Sequence, residues 1–334
     1  MNLKFSVRLI PSPTVFTVSI IIFTLFPYSR YFNFLPLPKG IVVTPQERYG
    51  KNSFELSFEL FPPKTAESEA MLWQTVDELM GFEPTLITCT YGAGGSTQTK
   101  TLEVLNGVHV RHPSVAIASH LTCVGSTTDQ LREYLRKAEK TGVTAIVALR
   151  GDPPQGETAF TPVANGLHYA VELVNLIKQE FPQLRILVAG YPETHQEAVS
   201  TDADLQFLKQ KCDAGSDTVV TQLFYDNADF FRFRERCLAI GITQSIIPGL
   251  MPVTNFKQIQ RIANLCKARL PSYFTNALEK AGDDADAQFE VGVEYAAKQA
   301  EELISQGVPG MHLYVLNKSP ATIRVLEQVG MTRP

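Results

Sequence analysis

The chain of 334 residues is 44% hydrophobic and 19% charged, a balance that excludes a disordered or fibrous polymer and allows one large core. Its formal net charge of −4 argues against nucleic acid as a partner, and Arg232, Arg234 and Arg236 read as the solvated face of one helix, without interleaved aromatics. Five cysteines without a C-x-x-C pair and six histidines without H-x-x-x-H or H-E-x-x-H spacing support neither a disulfide framework nor a metal site, and they fit a reducing, cytoplasmic compartment.

The first fifty residues stand apart. Val15 to Phe26 is an apolar stretch preceded by Lys4 and Arg8, which resembles the charged and apolar regions of a secretory signal. It is shorter than the ~20 residues of a membrane helix, Pro27 and Arg30 interrupt it, and no A-x-A-type cleavage site follows. Residues 1–50 are read as an extension outside the fold; a weak membrane or targeting segment and a packed segment are the other two readings. Residues 51–334 are read as one domain.

From Ser53 onward, short β-rich runs alternate with segments of helical period. Eight strands are predicted: Phe54 to Phe61, Thr85 to Thr90, Val115 to Thr122, Ala145 to Arg150, Ile186 to Tyr191, Thr218 to Phe224, Ser245 to Gly249 and Met311 to Leu316. After the first comes a helix over Glu67 to Met80, capped by Thr65, with Met71, Leu72, Val76 and Leu79 spaced along one buried face. Helices over Thr128 to Thr141, Asp202 to Ala214 and Ala228 to Ile240 each close at a glycine, Gly142, Gly215 and Gly241, suited to a left-handed terminus. Leu270 to Gly307 reads as an insertion containing a long helix before the last strand.

Strands alternating with helices build parallel β-α-β units. Eight of them, in about 280 residues, fit a single (β/α)8 TIM barrel, whose typical length is ~250 residues. The rival is an open doubly wound sheet, but no G-x-G-x-x-G follows the first strand, and GAGG after Tyr91 lacks the spacing of a dinucleotide fingerprint.

Five polar motifs end apolar runs: FELFPPKT (Phe58 to Thr65), TYGAGG (Thr90 to Gly95), HLTC (His120 to Cys123), LRGDPP (Leu149 to Pro154) and YPETH (Tyr191 to His195). In a barrel the reacting groups gather at the carboxyl ends of the strands, so these motifs converge on one mouth. In the first strand Phe54, Leu56, Phe58 and Leu60 alternate with Glu55, Ser57 and Glu59. The apolar set faces the helices, so Glu59 projects into the barrel near its rim. There partial desolvation makes it a proton donor, unless it pairs with a lumenal cation as structural filling.

Arg150 offers a fixed cation for phosphate or ribityl oxygens, and Asp152 a carboxylate beyond the strand end, although Asp-Pro is also ordinary turn chemistry. His120 reads either as a hydrogen-bonded core histidine or as a site group. Tyr191 and His195 lie on a loop that faces a ligand or packs the rim. Asp204 and Lys211, seven apart on one helix, form a solvated face or a pair reaching a ribose and phosphate. Thr90 and Gln222 end strands with uncharged groups suited to a carboxamide or a pterin edge.

In this order the motifs closely resemble the methylenetetrahydrofolate reductase family, FAD-dependent barrels that make 5-methyltetrahydrofolate. The similarity runs from about Phe54 to about Lys318 and includes DLQFLKQKCDAGSD, TQLFYD, IIPGLMPV and NFKQ. The resemblance implies non-covalent FAD, NADH or NADPH as electron donor, 5,10-methylenetetrahydrofolate as substrate, ping-pong hydride transfer and a homo-oligomer outside the membrane, although no self-complementary patch stands out.

By motif, Glu59 matches the general acid that protonates nitrogen-10 of the folate, and Asp152 the carboxylate near both flavin and pterin. Thr90, Tyr91, Ala93, His120, Arg150, Gly151, Asp152, Tyr169, Ala170, Tyr191, His195, Asp204 and Lys211 fall on positions that hold or surround FAD. Thr90, Asp152, Gln222, Gln258 and Lys318 match positions that touch nicotinamide or folate. Two residues depart from the pattern. HLYVLNK puts Lys318 where the family has an arginine, and Ile262 stands where an aromatic residue can stack on a ligand. The second departure keeps open a folate- or flavin-binding barrel that takes its electrons from a partner protein.

Overall fold

The computed structural model describes residues 54–92, 97–153 and 160–332. The expected extension over 1–50 and Ala93 lie outside the described residues. Within them the chain runs β1 (Glu55–Leu60), α1 (Ala66–Met80), β2 (Leu86–Cys89), α2 (Gln98–Arg111), β3 (Ala116–Thr122), α3 (Thr128–Lys140), β4 (Ala145–Leu149), α4 (Ala170–Glu180) and β5 (Arg185–Gly190). It continues through α5 (Thr201–Asp213), β6 (Thr218–Thr221), α6 (Asn227–Ala239), β7 (Ser245–Ile247), β8 (Gly249–Leu250), α7 (Phe256–Cys266), α8 (Ser272–Ala281), α9 (Ala285–Ser305), β9 (Gly310–Tyr314) and α10 (Pro320–Gln328).

All strand pairs are parallel, in the order β7-β6-β5-β4-β3-β2-β1-β9-β8. The two ends of that order are consecutive in the chain, separated by Pro248 alone. Proline has no N–H to give to a ladder. The single predicted strand over Ser245 to Gly249 therefore divides into β7, which pairs with β6, and β8, which pairs with β9. The Pro248 carbonyl still accepts from the His312 amide at 2.9 Å. The ring closes through this residue into the predicted (β/α)8 barrel.

Alternation within the strands separates two cores. Outward-facing Leu56, Phe58 and Leu60 of β1 are buried with helix residues such as Leu72, Leu79, Leu105 and Leu173. Inside the barrel, Leu86, Ala118, Ala145, Val147 and Leu187 form a smaller cluster. Below it the foot of the lumen is closed by charge, since Arg185 Nη2 reaches both Glu55 oxygens at 2.9 and 2.7 Å and Thr218 Oγ1 at 2.6 Å.

Local signals place the helices as expected. Thr65 caps α1 in a box with Ser68, and Gly142, Gly215 and Gly241 follow α3, α5 and α6 with positive φ. β6 stops at Thr221, short of the predicted Phe224, because the Leu223 amide is taken by the Gln222 side chain at 2.9 Å. The predicted insertion is the pair α8 and α9. Gly292 lets α9 press against the loop after β8, where a Cβ would stand 1.7 Å from the Val253 carbonyl oxygen.

Candidate functional site

At the carboxyl ends of the strands lies a cavity of about 900 Å³, at the upper end of the range for small-molecule and cofactor sites. Glu59, Thr88, Thr90, His120, Arg150, Gly151, Asp152, Tyr191, His195, Gln222, Ile262, His312 and Tyr314 are among the residues lining it. All five sequence motifs thus meet on one cavity through the residues named. The TYGAGG block meets it through Thr90, and its Ala93, Gly94 and Gly95 lie outside the described residues.

Glu59 occupies the floor and is 7% exposed. It stands beside Thr88 of β2 and Tyr314 of β9 in the sheet register. His120 Nε2 and His312 Nε2 both approach its Oε2, at 3.4 and 3.6 Å. Burial, opposed by the Glu59 charge and reinforced by His312, pushes the His120 imidazole below its ordinary range, which leaves it neutral at pH 7. No lysine or arginine pairs with Glu59 among the described residues. The lumenal ion pair that β1 does make belongs to Glu55.

The hydroxyls of Thr88 and Thr122 are buried without a hydrogen-bond partner, and Thr88 faces the cavity. Buried polar atoms are nearly always satisfied, so an orphan at a cavity wall marks a place for a ligand group. Burial, then the Glu59 charge, holds the Tyr314 phenol well above its ordinary range. Its hydroxyl donates to the Thr221 carbonyl at 2.7 Å.

On the rim, Arg150 makes a bidentate pair with Glu197 at 2.6 and 2.8 Å, and its Nε donates to the Gly151 carbonyl. Gly151 has φ +90°, and a Cβ there would lie 2.8 Å from Val124 and 3.0 Å from Thr122, so only glycine brings the backbone this close. Asp152 is exposed at the mouth. Tyr191 and His195 pack edge to face, with ring centres 4.6 Å apart. The Asp204 carboxylate accepts from the His195 amide at 2.9 Å.

Lys211, half-buried, donates to the Ala189 carbonyl at 2.7 Å, and burial pushes its ammonium down to about 8 against the pull of Asp204. The expected solvated face is therefore built into the wall of β5.

Other predicted positions fall farther from the cavity. Tyr91 packs edge to face on Tyr134 with ring centres 5.1 Å apart, and burial pushes its phenol up to about 12. Tyr169, largely exposed, and Ala170 begin α4, with the Tyr169 carbonyl facing Cys123 Sγ at 3.7 Å. Gln258 and Lys318 are exposed and do not line the cavity. Sequence reasoning missed His312, Tyr314, Cys266 and Glu197. The first two carry a readable signal, since Met311 and Leu313 point outward and the residues between and after them must point in.

A family model described as Methylenetetrahydrofolate reductase matches residues 45–330. The chain is 38% identical over 281 residues to a 5,10-methylenetetrahydrofolate reductase of Salmonella typhimurium, covering 84% of this chain and 92% of that one. It is 37% identical over 292 residues to Methylenetetrahydrofolate reductase (NADH) 1 of Arabidopsis thaliana, covering 84% of this chain and 49% of that one. The chain thus spans about half the length of the plant relative. Among solved structures, a Clostridium thermocellum protein that binds two copies of 5-methyl-5,6,7,8-tetrahydrofolic acid shares the fold, with TM-score 0.57, 14% identity, and coverage of 85% of this chain and 96% of that one. On the family match and these identities, the chain belongs to the methylenetetrahydrofolate reductase family.

Proposed function

We propose that this protein reduces 5,10-methylenetetrahydrofolate to 5-methyltetrahydrofolate with NADH or NADPH, through non-covalently bound FAD. One observation carries the reading: a buried carboxyl, Glu59, sits at the floor of a large cavity with two imidazoles beside it and, among the described residues, no lysine or arginine paired to it. A carboxylate paired with guanidinium stays ionised. One without such a fixed cationic partner can hold a proton and deliver it.

The residues fit a flavin. The cavity has the volume for a large ring system, Thr88 presents an unpaired hydroxyl, and Gly151 permits close backbone approach. Thr90, Gly151, Asp152, Tyr191 and His195, which line the cavity, would hold the ring. Arg150, Asp204 and Lys211, with Tyr91, Ala93, His120, Tyr169 and Ala170 around them, are assigned to the remainder of the cofactor and its surroundings. When bound, FAD supplies a hydride acceptor for the nicotinamide and a hydride donor for the folate.

Glu59 donates its proton to nitrogen-10 of the folate. The bond from that nitrogen to the bridging carbon breaks, its electrons stay on nitrogen-10, and a cationic iminium at nitrogen-5 is left to accept hydride. Asp152, exposed at the mouth, is suited to stabilise that cation. Thr90 and Gln222 orient nicotinamide or pterin from the strand ends. Gln258 and Lys318 meet the distal folate, and lysine in place of the fork-shaped guanidinium gives a weaker grip there. Nicotinamide and folate taking turns in this cavity would give ping-pong kinetics.

The test is the pair of anaerobic half-reactions. Purified protein should be yellow, NADH or NADPH should bleach it, and methylenetetrahydrofolate should restore the colour with formation of 5-methyltetrahydrofolate. A flavin that nicotinamide cannot bleach but a partner reductase can would replace this reading with that of an electron-receiving subunit.

A further inference from the structure

Glu59 has neighbours that the proposed chemistry does not yet use. His312 of β9 is enclosed, its side chain 3% exposed, and its Nε2 faces Glu59 Oε2 at 3.6 Å. The opposite ring nitrogen, Nδ1, lies 2.8 Å from Ser57 Oγ. Ser57 and Glu59 are two residues apart on β1 and so share the lumenal face. The register pairs Ser57 with His312 directly. β1 and β9 therefore hold serine, imidazole and carboxyl in one row.

The hydroxyl of Ser57 has two acceptors in reach, Nδ1 at 2.8 Å and the Met311 carbonyl at 3.5 Å. The shorter contact has ordinary hydrogen-bond length and the longer one is at the limit. With the hydroxyl donating to Nδ1, neutral His312 carries its proton on Nε2 and turns that N–H toward Glu59. The ring is fixed from a third side by Tyr314, edge to face with centres 5.0 Å apart.

We infer that His312, its tautomer set by Ser57, is a positioning residue for Glu59: it turns an N–H dipole toward the carboxylate that appears when Glu59 gives up its proton. This rests on Glu59 being the proton donor. The other groups facing that carboxyl are His120 of β3, neutral at pH 7 and able to serve either form, Tyr314 of β9, whose phenol donates to the Thr221 carbonyl, and Thr88 of β2, whose hydroxyl has no partner. The thiols of Cys89 and Cys266 also feel the Glu59 charge, and burial with that charge holds both protonated. His312 is the member whose orientation is determined by a side chain on the same strand as the acid.

Without the His312 dipole the carboxylate is less stabilised, so Glu59 keeps its proton to higher pH and releases it less readily. In His312→Ala and Ser57→Ala holoenzymes, folate half-reaction rates at pH 7 should drop about tenfold and about threefold respectively. The pH at which that half-reaction falls off should rise in both, while bleaching by NADH stays at the wild-type rate. Imidazole nitrogen NMR of the folded proteins should show His312 protonated on Nε2 in wild type and as a tautomer mixture in Ser57→Ala.

Ser57→Ala keeps the ring and so remains informative where His312→Ala fails to fold. An unchanged fall-off pH in a folded Ser57→Ala with a mixed tautomer, or an Nδ1-protonated ring in wild type, overturns the inference. Glu59→Gln separates the two levels. Should it retain folate turnover, the donor reading itself fails; should it lose turnover while the Ser57 and His312 variants keep the wild-type profile, only the role of His312 fails.

Discussion

The foot and the mouth of the lumen hold the same chemical group in opposite conditions. Glu55 and Glu59 lie on one strand, four residues apart and on one face. Glu55 meets a guanidinium with both oxygens at 2.9 and 2.7 Å, whereas Glu59 meets two imidazoles at 3.4 and 3.6 Å. The first arrangement fixes a charge and closes the barrel from below. The second leaves a buried carboxyl with no lysine or arginine paired to it among the described residues, and the cavity opens directly above it. A strand pattern can specify two inward carboxyls, but the partner across the lumen decides which one is structural.

The largest effect expected from this contrast is at Glu59. Glu59→Gln keeps the shape and removes the transferable proton, so folate reduction should fall by about 10²–10⁴-fold, the usual range for a general acid. Bleaching by nicotinamide and the melting temperature should stay near wild type in the same preparations. Glu55→Gln should do the reverse, lowering stability and sparing turnover; a loss of folate turnover in Glu55→Gln with an intact cofactor would erase the distinction.

Gly151 at the mouth comes next. With φ +90° and a Cβ 2.8 Å from Val124, Gly151→Ala should cost about 1–3 kcal/mol of backbone strain. Part of that should appear as weaker flavin retention, measured by fluorescence titration of the apoprotein. At the foot, Arg185→Met leaves Glu55 without its cation. The two side chains are 38% and 32% exposed, so solvent screens the loss, and about 1–2 kcal/mol is expected in denaturant melts with kcat unchanged.

The parts of this contrast that the sequence reveals are those set by local period. Alternation in ELSFEL sends Glu55 and Glu59 inward, and capping residues place α1 and the ends of α3, α5 and α6. What pairs with an inward residue is a tertiary fact. Arg185 reaches Glu55 across 130 residues of chain, and Glu197 reaches Arg150 from 47 residues away. Neither partner carries a mark in its own neighbourhood.

Pro248 shows the same limit in the backbone. It lies inside a predicted strand, yet its missing N–H splits that strand only because β6 and β9 compete for its two halves. The spacing of Asp204 and Lys211 gives the correct helix face but not the partners, which are the His195 amide and the Ala189 carbonyl. His312 follows the same period-two rule as Glu59 and was readable: it opens the HLYVLNK block, in which Lys318 alone stood out, as a departure from the family pattern.

The smallest expected effect extends the contrast to the two cations held against β5. Arg185, at its foot, has a carboxylate in contact; Lys211 of α5, near its mouth, donates to the Ala189 carbonyl at 2.7 Å and feels the Asp204 charge. Burial lowers the Lys211 ammonium from 10.5 to about 8. Between those values the unfolded chain binds the proton that the folded chain has lost, so stability rises with pH across that window. The folded protein bears the cost of an enclosed charge below it. For one group titrating at about 8, the gain from pH 8 to pH 9 is about 1 kcal/mol. Lys211→Met should remove that gain, so the wild-type and variant stability curves should converge or cross as pH rises. Parallel curves from pH 7 to 10 would mean that Lys211 keeps its proton in the fold, and that the mouth of β5 holds its cation as firmly as the foot does.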